Sequence, residues 1–285
     1  MKKPMKKWLT LLLIAGGILL IGYPWISNRI YEHQVDSKVK IYEKHVEESE
    51  SMQITEALQR AKKYNAELID GKVEITQPFL KEEAEDDIAY ESVLNTEGNG
   101  LMCFLKIPEI GISIPVYHGT AEDILKKGAG HMEGSALPVG GIGNRSIILA
   151  HTGMNVSKLF SDLSELKMQD VFYIEVLNQR LVYQVCDIET VLPEEADRLM
   201  PDKNKDLVTL VTCTPYGINS HRLLVTGERI SEKDMQESAV NTASGNTDSS
   251  PWLNAYCRAI RNGGFAAGIA SGIRIICWWI AKKKK

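Results

Sequence analysis

From residue 28 to about 69 the apolar positions Tyr31, Val35, Val39, Tyr42 and Val46, then Ile54, Leu58, Ala61 and Leu68, recur at steps of mostly three or four. Only a helix keeps such positions on one face, and no proline interrupts the stretch. The spacing therefore predicts one long or two shorter helices whose Glu, Lys and Arg form a solvated side. From Leu101 the pattern changes to short β-rich runs at 101–107, 112–117, 146–150, 171–176, 180–191, 207–213 and 222–230. Phe172, Ile174 and Val176 share one face, and Leu181, Tyr183 and Val185 do the same across a turn at Asn178-Gln179. Two short helices are expected at 121–127 and 158–166. Many short strands with turn signals predict a mostly β fold, closed or nearly closed into a barrel.

Two segments lack either period. Residues 70–100 are acidic and irregular, and read as a long loop in which Gln77-Pro78-Phe79 is the one rigid and aromatic spot. Residues 231–251 are rich in Ser, Asn, Thr, Glu and Asp and read as a flexible tether.

The run from Trp8 to Ile26 carries no charge and has about the length a helix needs to cross a bilayer. Four lysines precede it, so by the positive-inside rule they stay cytoplasmic and the chain after Ile26 is exported. A cleaved signal peptide is the alternative, but the run is long for one and lacks a small-x-small site at its end. A second apolar stretch, 263–281, contains Arg274 and is followed by four lysines. It fits either a second span with a cytoplasmic C-terminus or an interfacial tail, because Arg274 is costly near a bilayer centre unless it snorkels. The resulting organisation is an anchor at 1–27, helices at 28–70, an acidic loop at 71–100, the barrel at 101–230, a linker at 231–251 and a C-terminal membrane segment at 252–285.

Charge narrows the function. Setting aside the eight terminal lysines, 25 basic residues face 37 acidic ones, a balance that disfavours a nucleic-acid partner. Only Cys103, Cys186 and Cys213 of the five cysteines lie in the exported part, too few for a disulfide scaffold and without the short spacing of a zinc site. No metal or other cofactor is implied.

The segment Leu-Val-Thr-Leu-Val-Thr-Cys213-Thr-Pro-Tyr-Gly-Ile-Asn-Ser-His-Arg222 reads as a strand and a loop leading into a second strand. If the strands pair antiparallel, Cys213 and Arg222 face each other at a barrel rim. The thiolate is the reactive form of cysteine, and a permanently charged guanidinium favours it without competing for its proton. The same guanidinium can donate to an oxyanion. A general acid is also needed, and six histidines are present. His33 and His45 lie in the polar helical region, and His221 points away from Arg222 if both lie on one strand. His118 and His131 sit among glycines, whereas His151 follows the apolar residues 147–150 at another strand end. Spacing favours His151 and leaves His131 as the alternative.

At these residues the sequence resembles the sortase family, and most closely its pilin-assembling class C branch. The resemblance is carried by Ile-Pro-Val-Tyr-His-Gly-Thr at 114–120, Gly-Ala-Gly-His-Met-Glu-Gly at 128–134, Leu-Pro-Val-Gly-Gly at 137–141, Ala-His-Thr-Gly at 150–153, Lys-Leu-Phe-Ser-Asp-Leu at 158–163 and the Cys213 motif. It implies an eight-stranded barrel, preceded by helices and flanked by membrane segments, with His151, Cys213 and Arg222 as the catalytic trio. It also implies cleavage of a Leu-Pro-x-Thr-Gly sorting signal after Thr, a thioester on cysteine, and transfer to an amine. That amine is a pilin lysine in the class C branch, or a wall precursor in a housekeeping enzyme. Partners are then sorting-signal proteins and the membrane, with the catalytic domain outside the cell. Class C members carry an Asp-Pro-aromatic lid, whose place corresponds here to Gln77, Pro78 and Phe79. Gln77 lacks the charge with which an Asp would pair an active-site Arg.

Overall fold

The computed structural model describes residues 3–69, 88–152 and 157–231. The described residues from 25 onward belong to one compact unit. The helical stripe forms two helices, α1 (Lys3–Glu48) and α2 (Ser51–Ile69). Val35, Tyr42, Val46, Ile54, Leu58 and Ala61 are its buried positions, as the three-to-four spacing requires. Among the described residues no helix is long and apolar enough to cross a membrane. Most side chains of the run Trp8 to Ile26 lie outside the described residues, as do the whole of 263–281 and Gln77, Pro78 and Phe79.

The alternating runs close into an eight-stranded mixed barrel. Its strands are β1 (Leu101–Ile107), β2 (Ile112–His118), β3 (Ala129–His131), β4 (Arg145–Leu149), β5 (Val171–Val176), β6 (Gln179–Val191), β7 (Leu207–Thr214) and β8 (His221–Arg229). The order around the barrel is β1-β2-β3-β4-β7-β8-β6-β5. β2 with β3 and β4 with β7 are parallel, and the other neighbours are antiparallel.

Four local expectations are corrected. β3 has no counterpart among the predicted strands, because three residues flanked by Gly128 carry no readable period; its partners supply the ladder. The helix expected at 158–166 is a series of turns ending in the 3-10 helix Leu163–Glu165, with Leu159 at φ 40 and the Lys158 side chain drawn to Asp162. Inside the expected loop at 70–100 lies a five-residue helix, α3 (Ile88–Ser92), held by Tyr90. The helix expected at 121–127 is present as α4 (Glu122–Leu125). The β5–β6 turn is Leu177-Asn178, one residue earlier than expected, because Val176 pairs Gln179.

Two apolar layers result. The main core fills the barrel and extends under α1 and α2, which is why β1 is buried on both faces. Tyr42 fastens α1 there: its hydroxyl donates to the Met102 carbonyl, accepts from the Leu177 amide, and its ring lies edge-on to Phe104 at 5.4 Å. Asn65 does the same for α2 by bonding both backbone groups of Leu137. A smaller cluster of Met132, Ile147, Val191, Leu199, Val211 and Leu224 lies on the other face of β4, β7 and β8. Its members alternate along those strands with Ile148, Leu210 and Val225 of the main core.

Candidate active site

Cys213 and Arg222 are direct partners in the β7–β8 ladder, with only the Thr214–His221 pair between them and the loop that joins the strands. Directly opposed residues project from the same side of a sheet. Cys213 stands two places beyond Val211 and Arg222 two places before Leu224, so both share the face of the smaller apolar cluster, at its end. Two Arg222 hydrogen bonds run from Nη1 to the carbonyls of Asn219 and His221, each 3.2 Å, turning the guanidinium toward its own loop. Gly217 at φ 78 supplies a left-handed conformation in that loop that side-chain-bearing residues rarely adopt.

His151 arrives from the other side of β7. The parallel β4–β7 ladder ends with Leu149 beside Val211, and the Ala150 amide continues it by donating to the Val211 carbonyl at 3.2 Å. Thr212, on the face opposite Cys213, donates to the Ala150 carbonyl at 2.7 Å and contacts the Thr152 hydroxyl. Those bonds hold residues 150–152 along the last turn of β7, so His151, Cys213 and Arg222 come to one end of the barrel. His151 Nε2 lies 3.5 Å from Oε2 of Glu122 in α4, and its side chain is 27% exposed. Behind it, the Phe160 amide donates to the His151 carbonyl at 3.1 Å. The following turn is fixed by Lys158, whose Nζ reaches buried Asp162 and the Ile110 carbonyl, each at 2.6 Å. Burial, with the negative field of Asp162, pushes the Tyr216 phenol up.

The other thiols and histidines are differently placed. Cys103 is fully buried and burial pushes its thiol up; Cys186 is half-buried and pushed up for the same reason, with Glu228 adding to it. His131, the alternative general acid on spacing, is fully buried and bonded at both ring nitrogens to Tyr90 and Ala136. His118 is buried beside it, and His33 and His45 are exposed on α1. Among the described residues no group of three or more His, Cys, Asp or Glu side chains is placed to hold a metal. A cleft lined by Arg145, Asp187, Glu189, Arg198 and Asp202 opens at the start of β4, the far end of that strand from His151, and holds none of the trio. Sequence reasoning missed Glu122, Thr212 and Asp162. Thr212 sits within the Cys213 motif and Asp162 within the stretch at 158–163, but Glu122 carries no sequence signal, since only the fold brings it near His151.

Comparison with known proteins bears on this arrangement. A family model described as the sortase domain matches residues 105–230. Sortase C-1 from Actinomyces oris superposes with a TM-score of 0.59 at 43% identity, over 62% of this chain and 99% of that structure. Sortase C from Streptococcus pneumoniae, whose structure is described as giving insight into catalysis and pilin substrate specificity, superposes at 0.63 with 38% identity, over 68% and 97%. Sortase A of Bacillus anthracis is 28% identical over 226 residues, 78% of this chain and 93% of the relative.

Proposed function

The chain belongs to the sortase family and is a cysteine transpeptidase, and on that premise we propose that Cys213, His151 and Arg222 carry its chemistry, joining a Leu-Pro-x-Thr-Gly type sorting signal to a pilin lysine. The observation that carries this reading is the direct pairing of a half-buried thiol with a guanidinium at the strand end reached by the His151 segment. The Cys213 thiolate attacks the Thr carbonyl carbon, and Arg222 donates to the oxyanion that develops. As the C–N bond to Gly breaks, His151 gives its proton to the leaving amine, which leaves an acyl thioester on Cys213. The incoming lysine amine then attacks the thioester, His151 takes its proton, and the thiolate is restored.

The pilin acceptor is favoured by the likeness to sortase C structures at 38–43% identity. A housekeeping role, with a wall-precursor amine as acceptor, is the second reading and has the sortase A relative in its favour. We read residues 1–27 as the membrane anchor, on the uncharged run after four lysines, with the catalytic domain outside the cell. On the resemblance to class C members, Gln77, Pro78 and Phe79 are read as the counterpart of their lid, with Gln77 supplying no charge for an ionic latch.

Full-length chain in detergent, given a fluorogenic Leu-Pro-x-Thr-Gly peptide, is expected to cleave it and to form a hydroxylamine-sensitive acyl-enzyme. Cleavage by Cys213→Ala at the parental rate would sink the reading. Offering a lysine-bearing pilin domain and a wall-precursor amine together decides the acceptor by which amide forms.

A further inference from the structure

Imidazole brings two nitrogens to a site, and the hydrogen bond or charge met by one fixes what the other can do. His151 presents Nε2 to the Glu122 carboxylate at 3.5 Å. A carboxylate only accepts, so it favours a proton on that nitrogen. The other Glu122 oxygen, Oε1, lies 3.5 Å from Lys126 Nζ, which orients the carboxylate with Oε2 toward His151. We propose that Glu122 is a positioning residue for transpeptidation: it holds the His151 ring by Nε2 and makes Nδ1 the nitrogen that protonates the leaving amine and deprotonates the incoming one. This inference rests on His151 being the acid and base described above.

The pairing depends on the backbone that carries it as well as on two side chains. Glu122 opens α4, and at the other end of that helix the Lys127 carbonyl accepts from the Tyr31 hydroxyl of α1 at 3.3 Å. Beyond His151, the Lys158 amide donates to Asn28 Oδ1 of the same helix at 2.9 Å. Asn28 and Tyr31 are three residues apart, hence neighbours on one helical face. One short stretch of α1 thus fastens both the segment carrying Glu122 and the segment following His151. The Phe160 bond to the His151 carbonyl completes the frame. Glu122 is 61% exposed, so solvent screens the pair and its effect on rate is modest.

The test compares Glu122→Gln, which keeps an acceptor oxygen without charge, with Glu122→Ala, which keeps neither. Both are made in the full-length chain in detergent and assayed with the same peptide. The expected result is an unchanged KM and a graded kcat, with Ala lower than the parent by about fivefold and Gln between them. Two-bond ¹H–¹⁵N spectra of the His151 ring are expected to show Nε2 protonated in the parent and that preference lost in the Ala variant. An Ala variant with parental kcat, or with the ring tautomer unmoved, overturns the proposal, as does a change confined to KM. His151→Ala is run alongside: if it retains full activity, the role of His151 itself fails. That outcome is distinct from a silent Glu122 in an enzyme that needs His151.

Discussion

His131 ends β3 and His151 follows β4, its antiparallel neighbour, yet the protein surrounds them in opposite ways. The His131 ring is fully buried, with Nε2 donating to the Ala136 carbonyl at 2.9 Å and Nδ1 facing the Tyr90 hydroxyl at 2.9 Å. That hydroxyl also accepts from the Gly119 amide, and the Tyr90 ring stacks on His131 and meets His118 edge-on. Burial pushes the His131 imidazole down to about 4, so it stays neutral at ordinary pH. His118 completes the pocket by placing its two nitrogens on the carbonyls of Gly100 and Val93. These rings act as struts, tying α3 and the loops around 93–100 and 132–136 to the barrel. His151, by contrast, is part-exposed at an open rim and meets a mostly solvated carboxylate. A ring bonded at both nitrogens cannot shuttle protons, whereas one with a nitrogen to spare at a rim can.

Four experiments bear on that contrast, the largest effect first. Cys213→Ala is expected to lower peptide cleavage by about 10³-fold or more while leaving the unfolding temperature near the parent's, since the proposed nucleophile stands half-buried at the barrel rim rather than in the core. Parental turnover in that variant would make the rim an ordinary barrel end.

The second concerns the struts and pH. Above about pH 6.5 the His131 ring is neutral in both folded and unfolded chains, whereas below it the unfolded chain takes up a proton that the folded one refuses until about pH 4. Stability is therefore full above that range and falls as pH drops through it, by about 3 kcal/mol in all. Urea midpoints measured in half-unit steps check this, and a midpoint that stays level from about pH 6.5 to 5 contradicts it.

Third, Arg222→Lys keeps the charge but loses the planar donor fork, and is expected to reduce kcat by about 10²-fold with stability little changed. Fourth, Tyr90→Phe leaves His131 Nδ1 and the Gly119 amide without their partner, at a cost of about 2 kcal/mol in stability. Activity per folded molecule is expected to hold. A Tyr90→Phe enzyme that folds normally but turns over slowly would join the two regions that the comparison separates.

Much of this molecule was readable before its fold. The stripe from Tyr31 to Leu68 and the strand at 171–176 follow from periodicity, because each element buries one face and so writes its period into the chain. β3 was not readable, since three residues are stable as a strand only through the β2 and β4 ladders on either side. At 158–166 the expected helix gives way to turns, with Leu159 in a left-handed conformation at φ 40 while Lys158 and Asp162 still pair.

The site divides along the same line. The sequence by itself determined that Cys213 and Arg222 lie on consecutive strands separated by one loop, so a simple antiparallel ladder sufficed to make them partners. It also marked His151 as a residue at the end of an apolar strand, but left His131 in contention. Tertiary structure alone decided that His131 is sealed between Tyr90 and Ala136, and that a parallel β4–β7 pairing carries His151 toward Cys213. It alone placed Glu122 beside His151. The reason is range: local periodicity records which face of an element is buried, whereas pairing between distant strands and the meeting of separate loops depend on how the whole barrel closes.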